Sequence, residues 1–323
     1  MAEKWWLDGQ VVEIVSDYTY LGVTLTPRLS FSKHLKRKSN AAKMAMNYVW
    51  NGAFAGPSIP PQAKLKVFNA IVRAILCYAG QVWGYREYLE VELVLLLFIK
   101  KVYRLPRYSP NYLLHLETEL DTLSTYTLRL HVRYIAKVAQ MSDLRLPRIV
   151  ARKVIEEDVC WAKDWGRFSA KYGLVNNLST LDPSLLNADA EEIVKAFVEE
   201  KKSHFWSKAQ SSELYTLYRE LDPAVKGASF LREPVAPIQA VRWIFKIRTE
   251  LISLNAKPFS VDRSEERSLC SLHVREDTFH FFCNCPALSE FRLTAFGRPT
   301  LDRDAALQLL NGPESDTVRF CLL

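Results

Sequence analysis

Two cysteines and two histidines lie close together near the C-terminus and carry the chemistry that metal binding requires. Two residues separate Cys270 from His273, four separate His280 from Cys285, and six lie between the two pairs. Thiolate sulfur and imidazole nitrogen are ligands that Zn²⁺ prefers, and two close pairs let four ligands gather around a tetrahedral ion. Four protein ligands leave no open coordination position. The predicted zinc site is therefore structural and not hydrolytic.

Two alternatives to this set of four ligands remain open. Cys283 is a spare thiol in the same segment and could replace Cys285. The segment could also hold buried thiols and surface histidines that bind no metal, because Cys-x2-His is a less distinctive opening than Cys-x2-Cys.

A long stretch without acidic residues predicts a second kind of chemistry, the binding of phosphates. From Tyr18 through Arg86 the chain has ten Lys and Arg residues but no Asp or Glu, and more cations follow around Tyr103 and Tyr108. Cations that neutralise phosphates release counterions from a nucleic acid, and nearby aromatic rings can stack on unpaired bases. The alternative is an ordinary solvated helix surface, with both tyrosines as packing residues. The predicted nucleic-acid-binding residues are Arg28, Lys33, Lys36, Arg37, Lys38, Lys43, Lys100, Lys101, Arg104 and Arg107.

Hydrophobic spacing predicts that helices position most of these residues. Before Pro27, aromatic and β-branched residues around an Asp8-Gly9 turn predict a small antiparallel β element. The first helix after Pro27 has Phe31 and Leu35 on an apolar face and its cations on the opposite one. Further helices are predicted after Pro61 and over residues 89–103, 121–141, 147–165, 188–206 and 238–254, with a surface loop at 174–187.

The composition is that of an ordinary globular protein. The 323 residues are 49% hydrophobic and 24% charged, enough for two or three domains of about 150 residues each. A formal charge of +7 favours nucleic acid as a partner only weakly. Six cysteines without a recognisable secretory signal predict a reducing location, nucleus or cytoplasm. The longest apolar run falls short of the roughly 20 residues that span a membrane, so no membrane partner is expected.

No set of residues suggests a catalytic site. His34, His115, His131 and His204 have no nucleophile or carboxylate at a suggestive spacing, and each is expected to be a surface or capping residue. Catalytic residues are therefore predicted to be absent from this chain.

Several motifs, in this order, resemble the region after the palm in reverse transcriptases of non-LTR (LINE-type) retrotransposons. Residues 20–25 resemble the Y-L-G-V strand, 29–34 the start of the thumb helix, 78–83 the L-Y-G-x-x-V-W motif with Ala79-Gly80 in reversed order, 102–120 the R-x-x-L-x-L-P stretch, and 270–286 the C-terminal zinc knuckle. In the knuckle, His273 stands where the family usually has its second cysteine. Histidine is also a competent zinc ligand.

The resemblance implies a mainly α fold in four parts. These are a β element like the end of the palm (1–27), a helical thumb-like bundle (28–146), a helical connecting region (147–236) and a C-terminal region with the zinc-knuckle-like segment (237–323).

The resemblance also implies an ancestral activity, RNA-directed DNA polymerisation, with RNA, DNA and the remaining retroelement protein as partners. That chemistry places Mg²⁺ ions on a carboxylate pair, but this chain has no Asp-Asp dipeptide. Mg²⁺ is therefore expected only in a missing polymerase domain. We expect a truncated, nucleic-acid-binding fragment without polymerase activity of its own. The alternative is a degenerate or host-recruited helical scaffold that binds protein partners.

Overall fold

The chain is mainly α-helical, as the hydrophobic spacing predicts. A computed structural model describes residues 5–221, 237–254, 270, 274–311 and 320–321. The helices are α1 (Ser32–Tyr48), α2 (Pro61–Val67), α3 (Ala74–Leu76), α4 (Gly80–Trp83), α5 (Leu89–Val102), α6 (Asn111–Thr118), α7 (Leu123–Ala139), α8 (Leu146–Glu156), α9 (Cys160–Tyr172), α10 (Pro183–Gln210), α11 (Thr216–Glu220), α12 (Ile238–Arg248), α13 (Ser289–Phe296) and α14 (Arg303–Asn311). Short π-helical segments occur at Trp50–Phe54, Phe68–Arg73 and His280–Asn284, and 3₁₀ turns at Leu178–Thr180 and Pro286–Leu288. None of the described helices is both long and apolar enough to cross a bilayer.

The predicted β element consists of two antiparallel hairpins before α1. The strands are β1 (Trp5–Leu7) paired with β2 (Gln10–Val12), and β3 (Tyr18–Tyr20) paired with β4 (Val23–Leu25). Asp8 and Gly9 form the predicted turn, and both have the positive φ that a two-residue hairpin turn requires. Strand β4 packs on α1, where the buried Thr24 donates its N–H to His34 Nδ1 at 3.3 Å. A short hairpin is marginal alone, so this contact stabilises the second one.

Several predicted boundaries differ from the structure. The helix predicted over 238–254 already ends at Arg248. The helix predicted over 147–165 is two helices, α8 and α9, because the chain turns at Asp158, which has a positive φ. The predicted loop 174–187 is too long, because α10 already begins at Pro183. The Asp182 carboxylate accepts the first N–H groups of α10 at 2.8 and 3.0 Å. A residue type that is common in loops is here a helix N-cap.

Buried apolar side chains form two clusters. The larger core joins α1, α5 and α12 with residues after 279, and the smaller core joins α7, α9 and α10. Helix α12 lies against the end of α5, where the rings of Tyr103 and Phe245 stack with centroids 5.1 Å apart. This contact joins the predicted parts 28–146 and 237–323, and the four-part division stays a prediction.

The expectation that the histidines lie at the surface is wrong for three of the four. His34, His115 and His131 are buried, whereas His204 is exposed. Nδ1 of His115 hydrogen-bonds to the Leu120 carbonyl at 2.9 Å, and burial lowers the pKa of His131 to about 4. Most of their neighbours lie far away in the sequence, so spacing alone did not indicate burial.

Glu92 of α5 is a partly buried carboxyl group at the start of α7. Its Oε2 accepts the N–H groups of Leu123 at 2.9 Å and Ser124 at 3.4 Å, and its Oε1 lies 3.5 Å from Nε2 of His115. Burial raises the pKa of Glu92 from 4.5 to about 7 and lowers that of His115.

Glu92 should make the protein less stable as the pH rises. Its pKa is higher in the folded chain than in the unfolded one, so its contribution is complete below pH 4.5 and is lost towards pH 7. At about 1.4 kcal/mol per pKa unit, the loss is on the order of 3 kcal/mol. His115 acts in the opposite sense, because its folded pKa is lowered and its contribution is lost as the pH falls below 6.5.

We expect Glu92→Gln, which keeps an acceptor oxygen but cannot ionise, to be more stable than the wild type at pH 8 and similar to it at pH 4.5. Urea unfolding at the two pH values measures the difference. Glu90→Gln, an exposed change in the same helix, is the matched control. An equal difference between wild type and Glu92→Gln at both pH values would contradict the prediction.

Candidate metal centre and nucleic-acid interface

Three of the four predicted zinc ligands lie together. The ligand atoms of Cys270, His280 and Cys285 are all within 4.8 Å of one another, and Cys270 Sγ lies 3.3 Å from His280 Nε2. Zinc bonds of about 2.0 to 2.3 Å place two ligands of a tetrahedral ion roughly 3.5 to 3.8 Å apart. The three side chains therefore fit a shared metal ion with little rearrangement.

A π-helical turn positions two of these ligands. The N–H of Cys285 donates to the carbonyl of His280 at 2.7 Å, five residues earlier, so the two residues lie one wide turn apart. The N–H of His280 donates to Asp277 Oδ1 at 2.8 Å, which fixes the start of the turn. Turns of this type are rare and are frequent at functional sites.

Arg292 of α13 stabilises this turn through hydrogen bonds. The sequence alone did not indicate this role. Its side chain is fully buried and donates to the carbonyl oxygens of Pro299 at 2.7 Å, Phe281 at 3.4 Å and Cys285. Phe281 lies in the first part of the turn and Cys285 directly follows it, so the guanidinium of Arg292 joins the beginning of the turn to its end. Nothing in the sequence near Arg292 distinguishes it from a surface arginine.

The structure separates the spare thiol from the metal centre. Cys283 points into the larger core, burial raises the pKa of its thiol to about 12, and it does not belong to the described metal cluster. Burial also raises the pKa of Cys285. His273 lies outside the described residues, so its role as fourth ligand stays a prediction.

The outer face of α1 carries the first group of predicted phosphate-binding cations. At 3.6 residues per turn, Lys33, Lys36 and Arg37 lie opposite the buried residues of the helix, and the half-buried Lys43 lies at the edge of the same face. Met44 and Tyr48 lie on the same face and are 72% and 92% exposed. We call these six residues the α1 outer face. Tyr48 is an exposed aromatic that sequence reasoning missed, although its spacing from Arg37 and Met44 indicates the shared face.

The other predicted cations have more varied surroundings. Lys38 lies on the other side of α1, with Nζ 4.1 Å from the ring centroid of Tyr78, and burial lowers its pKa. Lys100 donates to the carbonyl of Arg107 at 2.9 Å. Lys101 donates to Asn47 near the end of α1 at 3.0 Å, which joins the ends of α1 and α5.

The remaining predicted cations, Arg28, Arg104 and Arg107, are exposed. Among the described residues, Lys33 is the one predicted cation in an ion pair, with Asp17.

Not every cation of the acid-free stretch contributes to a surface. Lys64 is fully buried and donates to the carbonyls of Phe54 and Gly56, the latter at 2.8 Å. Arg86 pairs with Asp164 at 3.4 Å. Conversely, Arg242 and Lys246 of α12 lie near Arg104, although about 140 residues separate them in sequence.

Comparison with known proteins gives no relative: no family model, no curated protein and no solved structure matches this chain. The metal cluster and the cationic surface must therefore be interpreted from their own chemistry.

Proposed function

We propose that this chain binds RNA or DNA through the α1 outer face and the cations at the end of α5. The α1 outer face carries the proposal: four cations and an exposed aromatic lie on one helix face, in a stretch of 69 residues without an acid. The order of the sequence motifs supports a further proposal, that the chain derives from the thumb and knuckle region of a non-LTR retrotransposon reverse transcriptase.

The dimensions of the α1 outer face suit a nucleic-acid strand. From Lys33 to Lys43 the helix rises about 15 Å, at 1.5 Å per residue. One strand of a duplex carries a phosphate every 3.4 Å or so along the axis, so this length spans about four phosphates. Tyr48 at the end of the face offers a ring for an unpaired base.

We also propose that Cys270, His280 and Cys285 bind Zn²⁺. When bound, the ion would link residue 270 to the π-helical turn as a structural crosslink. His280 and Cys285 would be held in place by the turn, and Arg292 would keep the turn closed.

The nucleic-acid proposal predicts a measurable loss when three cations are neutralised. In the variant Lys36→Gln/Arg37→Gln/Lys43→Gln, affinity for an RNA or DNA oligonucleotide should fall about a hundredfold or more near 0.1 M salt. The slope of log affinity against log salt should become shallower by about two to three. Titration at four or five salt concentrations measures both quantities.

A matched triple variant controls for net charge. Lys137, Lys163 and Lys195 are exposed on α7, α9 and α10, and their change to glutamine removes the same three charges elsewhere. Its affinity should stay within a few-fold of the wild type. Equal losses in both triple variants, or no binding by the wild type at low salt, would refute the proposal.

One observation favours a second candidate, a scaffold that binds a protein partner. Trp5, Trp6 and Leu7 of β1 are 62%, 63% and 68% exposed. Exposed apolar groups of this size are typical of interaction surfaces. A wild-type chain that binds no oligonucleotide at low salt would leave this candidate as the better one.

A further inference from the structure

Cations from three parts of the chain meet where α12 lies against the end of α5. Arg242 is only 7% exposed and donates its Nε–H to the carbonyl of Val102 at 2.9 Å. Lys246 follows one helical turn later on the same face of α12. Arg104 lies two residues beyond Val102, is exposed, and has a left-handed backbone with φ of 51°. The buried Lys64 lies close to Arg242: burial lowers the pKa of Lys64, and the positive charge of Arg242 lowers it further.

These cations repel one another. Burial lowers the pKa of Arg242 and of Lys246, and the charge of Arg104 lowers both further. No carboxylate of the described residues lies within 4 Å of Arg104, Arg242 or Lys246, whereas the buried Arg248 pairs with Glu117. The remaining N–H donors of Arg242 make no hydrogen bond within the described part of the chain.

The negative end of α5 does not balance this charge. A helix C-terminus is equivalent to roughly half an elementary negative charge, against three full positive charges on Arg104, Arg242 and Lys246. The last carbonyls of α5 are also satisfied already. Those of Ile99 and Lys100 accept backbone N–H groups at 3.0 and 2.8 Å, and that of Val102 accepts from Arg242.

We propose that Arg104, Arg242 and Lys246 form a phosphate-binding site that takes a backbone phosphate of the nucleic-acid strand lying on the α1 outer face. Guanidinium groups bind phosphate through paired N–H donors, and those of Arg242 other than Nε–H make no hydrogen bond to the described residues. Trp243 is exposed beside Lys246, whose Nζ lies 5.2 Å from its ring centroid, and can stack on a neighbouring base. The inference rests on the proposed function. It adds α12, a helix that the sequence did not connect with binding.

The double variant Arg104→Ala/Lys246→Met tests the site, because both side chains can be shortened without removing the Arg242–Val102 hydrogen bond. At low salt its melting temperature should equal or exceed that of the wild type, since repulsion is relieved. Inorganic phosphate or pyrophosphate should raise the melting temperature of the wild type and not of the variant. Oligonucleotide affinity should fall about tenfold or more per cation, with a salt slope shallower by about two.

Arg145→Ala/Lys163→Met, which removes two exposed cations elsewhere, is the matched control. A double variant that keeps wild-type affinity and slope, while the α1 triple variant loses both, would overturn this site and leave the proposed function intact. Protection by inorganic phosphate without oligonucleotide binding would refute the nucleic-acid source and the proposed function together. A lower melting temperature without any phosphate effect would show that the cations only stabilise the end of α5.

Discussion

Replacing Glu117 by alanine should lower the free energy of unfolding by about 3 to 5 kcal/mol, because it removes a buried carboxylate that pairs with the buried Arg248. Glu117 and Arg248 are both buried, and Arg248 Nε donates to Glu117 Oε1 at 2.5 Å. The hydroxyl of Tyr218 donates to the other carboxylate oxygen at 3.2 Å, and burial raises the pKa of that phenol well above its usual range. Arg248 also donates to the carbonyl of Leu310. The Glu117 carboxylate thus joins α6 to α11 and α12, and Arg248 joins α12 to α14.

A double variant separates the contribution of the pair from the cost of removing one of its members. We expect Glu117→Leu/Arg248→Met to be clearly more stable than Glu117→Ala, because replacing both members of a buried ion pair by apolar side chains is often close to neutral. Glu213→Ala, an exposed change, should stay within about 0.5 kcal/mol of the wild type. Urea unfolding of the four proteins provides the values. A loss below about 1 kcal/mol in Glu117→Ala would show that Arg248 regains solvent, and would contradict the prediction.

The sequence could predict elements whose information is local. Apolar spacing located α1, α5, α7 and α12, and the Asp8-Gly9 turn indicated the first hairpin. It misplaced the start of α10, because Asp182 serves as well for a cap as for a loop. Local spacing therefore predicted the presence of the helices more reliably than the residues at which they begin and end.

The candidate sites show the same limit. The His-x4-Cys spacing fits a π-helical turn, so His280 and Cys285 could be paired from the sequence. Arg292 could not, because its function depends on carbonyl oxygens whose positions only the folded chain determines. Arg242 and Glu117 likewise act on residues more than 100 positions away. The role of a buried polar group depends on its neighbours in the folded chain, and the periodicity of the sequence does not indicate those neighbours.

Metal binding should have the largest effect on the C-terminal region. Structural zinc contributes apparent binding free energies of about 10 to 16 kcal/mol in small zinc-binding peptides, and that energy stabilises the folded form. We expect the purified chain to hold close to one equivalent of zinc. A strong chelator should unfold the region around the π-helical turn and leave the smaller core of α7, α9 and α10 intact, because Cys270, His280 and Cys285 are not among the described members of that core.

The loss of zinc affinity should be larger for substitutions of ligands than for substitutions of residues that only support them. Cys270→Ser and Cys285→Ser each remove a ligand and should reduce zinc affinity by more than the roughly 10- to 100-fold that supporting residues cost. Arg292→Met removes only a support and should fall within that range. Cys160→Ser, an exposed cysteine outside the cluster, is the control, and Cys283→Ala should also retain zinc.

The fourth ligand can be identified by the same measurement. If His273 completes the site, His273→Ala should reduce zinc affinity as much as Cys285→Ser does, and Co²⁺ substituted for zinc should lose its tetrahedral absorption. If His273→Ala keeps wild-type affinity, a water molecule or another side chain fills the fourth position, and the predicted four-ligand set is wrong. Less than half an equivalent of zinc in the wild type, unchanged by Cys270→Ser, would refute the metal site as a whole. In that case the 3.3 Å contact between Cys270 and His280 would be an ordinary thiol–imidazole hydrogen bond.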